Sequence, residues 1–356
     1  MKKIKQNMLN FNMNSFLEEL SNHLRRGHGH IYSYIWNRIQ WNYFHRFNFK
    51  PSFPLNIDIE SSSSCNIKCD HCFRQYLDVP ESALMQFEVY QKIVDECAEW
   101  KLFTLKFSMR GEPTLHPQIV DMVEYAKMKG IKEVWINTNG SMLTESLCKG
   151  LIKAGLDCLT ISFDGLGEMY ESIRKPLIYS EMLDKLKLLS SLRKELSSQK
   201  PYLTAQTLWS AIKDDPESYK NVMKDLVDKI SYNIDFDFKD IHFEPDPDYV
   251  CYRLWQRLSI TSKGNVLKCP SDFEQQEVLG NIKDHSIKYI WDTIQEEERN
   301  RHLAGKRLES KVCKKCHHGA KVKTSQKQFD SKNHNVNEIE YYDGFEGVGL
   351  NRRSNG

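Results

Sequence analysis

The chain has 356 residues and a mass of 41.9 kDa, enough for one large domain with extensions and a substantial core. Its 40% hydrophobic and 28% charged residues are typical of a globular protein and exclude a collagen-like, fibrous or wholly disordered chain. Fifty Lys and Arg against 48 Asp and Glu leave a net charge of +2, which argues against a nucleic-acid partner.

The first residues show neither a signal peptide nor a membrane segment. No stretch approaches the roughly 18 apolar residues of a membrane span, and polar residues interrupt the sequence after Met1. We therefore expect a cytoplasmic protein without a membrane span. In that reducing compartment the ten cysteines favour metal binding or redox chemistry over disulfides.

Residues 1–54 are aromatic and basic, with amphipathic pieces at Phe16–Arg26 and Ile31–Phe47. These pieces predict a helical extension packed on the main domain. A helix that binds a membrane surface or a partner is the alternative.

Residues 55–240 alternate short apolar runs with stretches of helical period. The apolar runs predict six strands: Leu55–Ile59, Thr104–Phe107, Glu133–Asn137, Cys158–Ser162, Tyr202–Leu208 and Ile234–Phe238. The periodic stretches predict five helices: Met85–Trp100, Pro117–Lys129, Thr144–Ala154, Ser180–Leu196 and Ser218–Ile230. This order indicates a parallel sheet covered by helices, either doubly wound or an incomplete barrel.

The pattern changes after residue 240. Leu258–Thr261 and Val266–Lys268 predict a hairpin, with Gly264 free to adopt a positive φ in its turn. A helix near Ile287–Arg299 follows. We interpret 241–320 as a small separate region and the polar residues 321–356 as a mobile tail.

Three cysteines, Cys65, Cys69 and Cys72, follow the first predicted strand with the spacing C-x3-C-x2-C. Three thiolates can hold a four-iron cluster and leave one iron open to a small molecule. A structural zinc site is the alternative, but its fourth ligand would have to be His71, which adjoins Cys72 and is poorly placed.

This motif, after the first strand of a six-unit αβ region, resembles that of the radical S-adenosylmethionine (SAM) enzymes. Ser108–Pro113 follows the second strand, where the family has a Gly-Gly-Glu-Pro segment that holds the SAM amino group. Gly111 and Glu112 match this segment, whereas Arg110 replaces its first glycine. A carboxylate pairs with an ammonium, and glycine allows close backbone approach.

Two further loops are similar to SAM-contacting loops of the family. Asn137 and Asn139 end the third strand, and Ser162 and Asp164 end the fourth. Arg174 resembles an arginine that pairs with the SAM carboxylate. Plain turns for the loops, and a solvated helix face for Arg174, are the alternatives. Gln206 and Trp209 are weaker candidates for the pocket.

A second set of cysteines, Cys251, Cys269, Cys313 and Cys316, lies beyond the predicted barrel. Its layout resembles the shortened SPASM extension called Twitch, which holds one auxiliary four-iron cluster. Four thiolates would saturate that cluster, which favours electron transfer over substrate binding. A four-cysteine zinc site and a C-x-x-C-H haem attachment are the alternatives.

The remaining candidates favour structural roles. Cys97, Cys148 and Cys158 are expected to be buried apolar residues, and His116 to make a helix-entry contact. Surface charge is the first interpretation of three residues that could otherwise serve the substrate or proton transfer: Asp272, Glu244 and Arg253.

The resemblance implies an α/β fold: a partial (β/α)6 TIM-like barrel with an N-terminal helical extension and a small Twitch/SPASM extension. It also implies a SAM-binding [4Fe-4S] cluster, an auxiliary [4Fe-4S] cluster and SAM as cofactors. The implied oxidoreductase forms a 5′-deoxyadenosyl radical, which abstracts a hydrogen atom from its substrate. Dehydrogenation of a sugar or aminocyclitol is the leading hypothesis, and flavodoxin or ferredoxin is the expected reducing partner. The alternatives are peptide modification and a non-catalytic iron-sulfur module.

Overall fold

A curved sheet with parallel strands at its centre organises the molecule. The computed structural model describes residues 4–5, 10–12, 16–27, 29–80, 82–233, 238, 243–329 and 332–339, with side chains between residues 20 and 321. No helix in these ranges is long and apolar enough to cross a membrane.

The N-terminal extension has two helices, as predicted, and two short strands that were not predicted. Its elements are β1 (Ile4–Lys5), β2 (Asn10–Asn12), α1 (Phe16–Gly27) and α2 (Ile31–Tyr43). Strand β2 pairs with the last barrel strand. Ion pairs fix α1 to the N-terminal ends of the barrel strands: Arg25 to Asp228 at 2.9 Å and Arg26 to Glu133 at 2.8 Å. The extension is therefore mixed in structure and part of the main sheet.

Six strands and six helices build the partial (β/α)6 barrel. The strands are β3 (Asn56–Ile59), β4 (Thr104–Phe107), β5 (Glu133–Thr138), β6 (Cys158–Ser162), β7 (Tyr202–Leu208) and β8 (Lys229–Asn233). The helices are α3 (Phe87–Glu99), α4 (Ile119–Met128), α5 (Glu145–Lys153), α6 (Gly167–Ile173), α7 (Tyr179–Glu195) and α8 (Pro216–Met223). Two of the helices, α6 and α7, lie between β6 and β7. Neighbouring strands from β3 to β8 run parallel.

The last unit differs from its prediction. Helix α8 ends at Met223 instead of continuing to Ile230, and Lys229–Asn233 forms the sixth strand. Ile230 and Tyr232 are buried on alternate positions of that strand, and the apolar spacing before them mimics a helical period. Of the predicted strand Ile234–Phe238, residues 234–237 lie outside the described residues.

Each barrel strand alternates residues that face the helices with residues that face the interior. Ile57 and Ile59 of β3, and Leu105 and Phe107 of β4, belong to the main hydrophobic core under the helices. The three remaining cysteines are buried as expected: Cys97, Cys148 and Cys158. The apolar side of the sheet thus carries the core and leaves the opposite positions to line the barrel.

The C-terminal region continues the barrel sheet. Its elements are β9 (Val250–Cys251), β10 (Arg257–Ile260), β11 (Asn265–Leu267), β12 (Val278–Asn281), α9 (Ile287–Asp292), α10 (Ile294–Leu303) and α11 (Lys311–Lys314). The predicted hairpin is β10–β11, with Gly264 at φ +82°. Strand β10 also pairs in parallel with β3, which the sequence did not indicate, so the sheet order is β12-β11-β10-β3-β4-β5-β6-β7-β8-β2.

Part of the expected mobile tail has regular structure. Strands β13 (Val322–Phe329) and β14 (Lys332–Ile339) pair as an antiparallel hairpin. Residues 340–356 lie outside the described residues. The polar composition of this segment, on which the prediction of a tail rests, does not reveal the pairing of the two strands.

Candidate active site

The first cysteine loop follows β3 at the C-terminal end of the barrel. Cys65, Cys69 and Cys72 are all partly buried. Burial raises the pKa of Cys69 to about 11, and the neighbouring Cys72 and Cys65 thiols act in the same direction. Cys72 N–H donates to the Cys69 carbonyl at 3.1 Å, so a tight turn of the backbone joins these two cysteines.

Backbone hydrogen bonds hold this loop against the segment after α6. Lys68 N–H donates to the Lys175 carbonyl at 2.9 Å, and Asp70 N–H donates to the Ile173 carbonyl at 3.2 Å. The chain around Arg174 is thereby fixed beside the cysteines.

Gly111 is required by close packing of the loops after β3 and β4. A Cβ atom at position 111 would lie 2.1 Å from the Ser62 carbonyl oxygen. Glu112 N–H donates to the Ser64 carbonyl at 2.7 Å, next to Cys65. Position 110 does not need glycine, because the positive φ of this loop, +101°, falls on Met109. Arginine at 110 is thus compatible with the loop.

The Glu112 carboxylate is buried and joins the ends of β4 and β5. Oε1 accepts from Thr114 N–H at 3.0 Å and from the hydroxyls of Thr114 and Thr138 at 2.5 and 2.6 Å. Oε2 accepts from Asn139 N–H at 2.7 Å. A carboxylate offers about four acceptor sites, shared between its two oxygens. Three of the four hydrogen bonds fall on Oε1 and one falls on Oε2. A contact from Glu112 to the SAM ammonium remains a prediction, with Oε2 the less occupied oxygen.

Asn139 and Arg174 bring polar nitrogens to the cysteines. Asn139 Nδ2 lies 3.9 Å from Cys65 Sγ and donates to Asn66 Oδ1 at 3.0 Å. Arg174 Nη1 lies 3.6 Å from Cys69 Sγ. Two predicted site residues thus border the cysteine loop, and both offer donors to the thiolates.

Arg174 also forms an ion pair that the sequence did not indicate. Its Nε and Nη2 lie 2.6 and 2.5 Å from Asp164 Oδ2. Asp164 Oδ1 accepts from Leu208 N–H at 2.9 Å. Asp164 therefore orients Arg174 and ties the ends of β6 and β7, and a role of Arg174 toward the SAM carboxylate stays a prediction.

Asn137 lies one residue before the end of β5, and Ser162 is the last residue of β6. Asn137 Nδ2 donates to Ser108 Oγ at 3.5 Å, and Ser162 pairs in register with Gln206 on β7. The other weak candidate, Trp209, packs its ring 4.9 Å from that of Tyr232. Contacts of Asn137, Ser162 and Gln206 with a ligand remain predictions, whereas Trp209 packs against the last strand.

The second cysteine set converges on one cavity. Cys251, Cys269, Cys313 and Cys316 line it together with Arg253. Burial raises the pKa of Cys251 and Cys316 to about 11 and that of Cys269 to about 12. Neighbouring thiols of the same set also raise the pKa of each of these three cysteines. Distant segments of the chain thus meet around one site, as their spacing predicted.

His302 belongs to this site and was missed by the sequence analysis. Its Nδ1 accepts from Cys251 N–H at 3.3 Å, and its Nε2 lies 3.6 Å from Cys313 Sγ. Burial lowers the pKa of His302 to about 3, so the ring is neutral at pH 7. Because Nδ1 is the acceptor, Nε2 carries the proton and donates to the sulfur. A single histidine near the end of α10 has no motif that could have revealed it.

Three other polar candidates have structural contacts. Asp272 accepts from the N–H groups of Gln276 and Glu277 at 2.8 and 3.0 Å, and Glu244 pairs with Lys321 at 2.6 Å. His116 accepts from Gln118 N–H and donates to the Met85 carbonyl at 2.9 Å, which is a helix-entry contact. Arg253 differs from these, because it lies against the cavity of the second cysteine set.

The donor sets consist of thiols in both places. In the part of the chain with described side chains, no three His, Cys, Asp or Glu residues are grouped to hold one metal ion. Zinc draws its thiolates to about 2.3 Å from one centre. Three and four thiols are ligand numbers that iron-sulfur clusters take.

Comparison with known families gives the decisive observation. A model described as the radical SAM superfamily matches residues 59–199. This chain contains a radical SAM domain. A second model, described as the SPASM iron-sulfur cluster-binding domain, matches residues 251–317. The two matched regions contain the two cysteine sets.

Curated relatives match part of this chain. The chain is 31% identical to a tungsten-containing aldehyde ferredoxin oxidoreductase cofactor-modifying protein of Pyrococcus furiosus over 152 residues, 42% of each chain. It is 34% identical to a GTP 3′,8-cyclase of Chlorobaculum tepidum over 149 residues, 40% of this chain and 44% of the cyclase. The chain thus matches less than half the length of these two relatives.

Solved radical SAM structures share the fold. BtrN in complex with AdoMet and 2-DOIA superposes with a TM-score of 0.53 at 20% identity, covering 75% of this chain and 94% of BtrN. Native anSMEcpe with bound AdoMet gives a TM-score of 0.54 at 20% identity, covering 69% of this chain and 82% of anSMEcpe. SuiB of Streptococcus suis bound to its precursor peptide SuiA gives a TM-score of 0.52 at 15% identity, covering 80% of this chain and 76% of SuiB. These similarities confirm the partial barrel.

The two matched domains define the cofactors. The radical SAM and SPASM domains imply a SAM-binding [4Fe-4S] cluster, an auxiliary iron-sulfur cluster and SAM. The cysteine sets fit these groups, since three thiols leave one iron open and four saturate a cluster.

Proposed function

We propose that this radical SAM enzyme oxidises a hydroxyl group of a small polar molecule, of the sugar or aminocyclitol class, by two electrons. The polarity of the barrel interior is the observation that carries the proposal. In TIM barrels the inward positions are usually filled by bulky branched side chains. Here the strand register instead aligns Ser259, Asp58, Lys106 and Trp135 side by side.

The next row of inward positions, toward the C-terminal ends of the strands, is polar as well. Asn137, Thr160 and Thr204 are register neighbours on β5, β6 and β7. Asn137 Oδ1, and Ser259 Oγ in the row below, are buried without a hydrogen-bond partner among the described residues. An unmet buried polar atom costs about 1–3 kcal/mol. A hydroxyl-rich ligand or ordered water would satisfy these atoms, which supports a polar substrate.

The proposed oxidation divides its steps between cofactors and chain. When bound, the clusters and SAM supply a 5′-deoxyadenosyl radical that removes one hydrogen atom from a substrate carbon, and an acceptor for one electron. Loss of that hydrogen atom, one electron and the hydroxyl proton converts the carbon–oxygen bond to a carbonyl. The chain must hold the substrate, exclude water and accept the proton. A flavodoxin or ferredoxin is the proposed reducing partner for SAM cleavage.

Lys106 is the residue that we assign to proton transfer. It lies in the middle of the interior row, with its ammonium 5.3 Å from the centre of the Trp135 ring. Burial lowers the pKa of Lys106 to about 8; Asp58 opposes this shift, and Arg257 and Arg253 add to it. An amine with this pKa can act as a general base near neutral pH. Arg253, one of the charges that act on Lys106, also lies against the second cysteine set.

The pH dependence of oxidation tests Lys106. The base must be neutral, so we expect the rate to rise with pH and level off above about 8. Lys106→Met should lower the rate about 10²–10⁴-fold and remove this rise. Lys106→Arg keeps the charge but stays protonated, so it should fail equally. An active Lys106→Arg variant would show that only the positive charge matters.

The auxiliary site tests the two-electron outcome. The assay incubates the reduced enzyme with SAM and a panel of deuterated sugars and aminocyclitols, and measures deuterium in 5′-deoxyadenosine together with carbonyl products. Cys313→Ser/Cys316→Ser should still transfer deuterium but yield no oxidised product, because the acceptor is missing. Full oxidation by this double variant would contradict the proposal.

Peptide modification is the second candidate. SuiB was solved with its precursor peptide, and anSMEcpe with a Cp18Cys peptide at a TM-score of 0.54. The same assay with a library of Ser- and Cys-containing peptides separates the candidates. Deuterium transfer from peptides alone would favour this second function.

A further inference from the structure

His302 joins two of the chain segments that supply cysteines to the second set. It lies near the C-terminal end of α10 and is 2% exposed. Its ring contacts Cys251 at the end of β9 and Cys313 of α11. These two cysteines are 62 positions apart in the sequence, so the buried ring links distant parts of the auxiliary site.

The two ring nitrogens of His302 have different partners. Nδ1 accepts from Cys251 N–H at 3.3 Å, and Nε2 lies 3.6 Å from Cys313 Sγ. A ring nitrogen that accepts a hydrogen bond carries no proton, so the proton of the ring is on Nε2. The contact with the Cys251 backbone therefore directs an N–H donor at the Cys313 sulfur atom.

A second network fixes the backbone at Cys313. The Lys268 ammonium donates to Glu298 Oε2 and Ser310 Oγ at 2.9 Å each, and it also pairs with Glu277. Ser310 Oγ in turn accepts from Cys313 N–H at 3.1 Å. The two carboxylates compensate the charge of Lys268, and Ser310 holds the segment that presents the Cys313 sulfur to His302.

A hydrogen bond to a ligand sulfur stabilises the reduced state of an iron-sulfur cluster. An added electron makes a cluster with four thiolates more negative, and the sulfur atoms share this charge. An N–H donor at one of them favours the added charge and raises the reduction potential. Burial of the His302 ring strengthens the interaction, because the local dielectric is low.

We propose that His302 raises the reduction potential of the auxiliary cluster through the hydrogen bond from Nε2–H to Cys313 Sγ. His302 acts through a cysteine and is therefore a positioning residue, not a ligand of the cluster. A higher potential favours acceptance of the substrate electron in the proposed oxidation. The inference itself rests on the auxiliary cluster alone and does not depend on the substrate.

Two substitutions separate the roles of the two ring nitrogens. The amide of glutamine can place an N–H donor near the position of Nε2, whereas the shorter asparagine reaches only the position of Nδ1. His302→Asn should therefore lose the donor to Cys313 and shift the midpoint potential of the auxiliary cluster to a lower value. His302→Gln should restore most of the wild-type midpoint.

The measurement is a redox titration followed by electron paramagnetic resonance. It uses reconstituted full-length protein that also carries Cys65→Ala/Cys69→Ala/Cys72→Ala, so that the auxiliary cluster gives the signal. Neither SAM nor substrate is present, so the outcome is independent of the proposed oxidation. An iron content of about four per chain verifies that each variant holds its cluster.

His116 provides the control, because it is similarly buried, at 3% exposure, and makes its contacts elsewhere, with Met85 and Gln118. His116→Asn in the same background should leave the midpoint unchanged. The proposal fails if His302→Asn has the parent midpoint, or if His302→Gln or His116→Asn shifts it equally. Loss of iron from His302→Asn would overturn it as well and show that the histidine holds the cluster. A parent protein without iron would refute the auxiliary cluster itself.

Discussion

The variant Cys65→Ala/Cys69→Ala/Cys72→Ala should lose SAM cleavage and about half of its iron. Wild-type enzyme with two four-iron clusters should contain about eight irons per chain, and the variant about four. The physical reason is that Cys251, Cys269, Cys313 and Cys316 surround a separate cavity and keep their own cluster. The measurements are iron and sulfide content of anaerobically reconstituted protein and dithionite-driven release of 5′-deoxyadenosine.

The chain offers a matched control with the same number of cysteines removed. Cys97, Cys148 and Cys158 are buried and belong to neither set. Their triple alanine variant leaves small cavities but should retain all of its iron and SAM cleavage. Equal iron loss in both triple variants, or SAM cleavage by the first, would refute the assignment of the SAM-binding cluster to Cys65, Cys69 and Cys72.

The second large effect is expected on stability. Arg110 is 3% exposed and forms a two-point ion pair with Glu60, whose exposure is 0%. The paired atoms lie 2.6 and 2.5 Å apart. Glu60 also accepts from Ser262 N–H at 3.1 Å. The pair therefore joins the ends of β3 and β4 to the turn of the β10–β11 hairpin.

Removing one partner leaves the other charge buried and uncompensated. Arg110→Gly, which restores the residue of the family segment, should therefore lower the free energy of unfolding by about 3–5 kcal/mol. Urea denaturation of the reconstituted enzyme, followed by tryptophan fluorescence, measures the change as a lower midpoint. Glu60→Gln combined with Arg110→Met removes both charges and should recover part of the loss.

The exposed pair of Lys187 and Asp184 serves as the control. It is 2.9 Å long but mostly solvated, so Lys187→Met should change stability by less than about 1 kcal/mol. If the Arg110→Gly variant has the same urea midpoint as the wild type, the buried Arg110–Glu60 pair does not stabilise the contact between the barrel and the hairpin.

Local sequence was most informative where contacts are close in the chain. The first five barrel strands, the hairpin around Gly264 and the two N-terminal helices follow from apolar spacing and turn residues. The sixth strand was misplaced because the spacing of Val222, Leu226 and Ile230 suits a helix. Only pairing with β7 makes Lys229–Asn233 a strand.

The prediction of the cofactors came from the sequence alone. The spacing of Cys65, Cys69 and Cys72 on one loop, and the Gly111–Glu112 pair after the next strand, are short-range patterns that resemble those of the radical SAM family. The tertiary structure decided the pairing of Arg110 with Glu60, the position of Lys106 in a polar interior and the contact of His302 with Cys313. These contacts join residues 11 to 50 positions apart or on different strands, and the spacing within either segment does not reveal which distant partner folding brings to it.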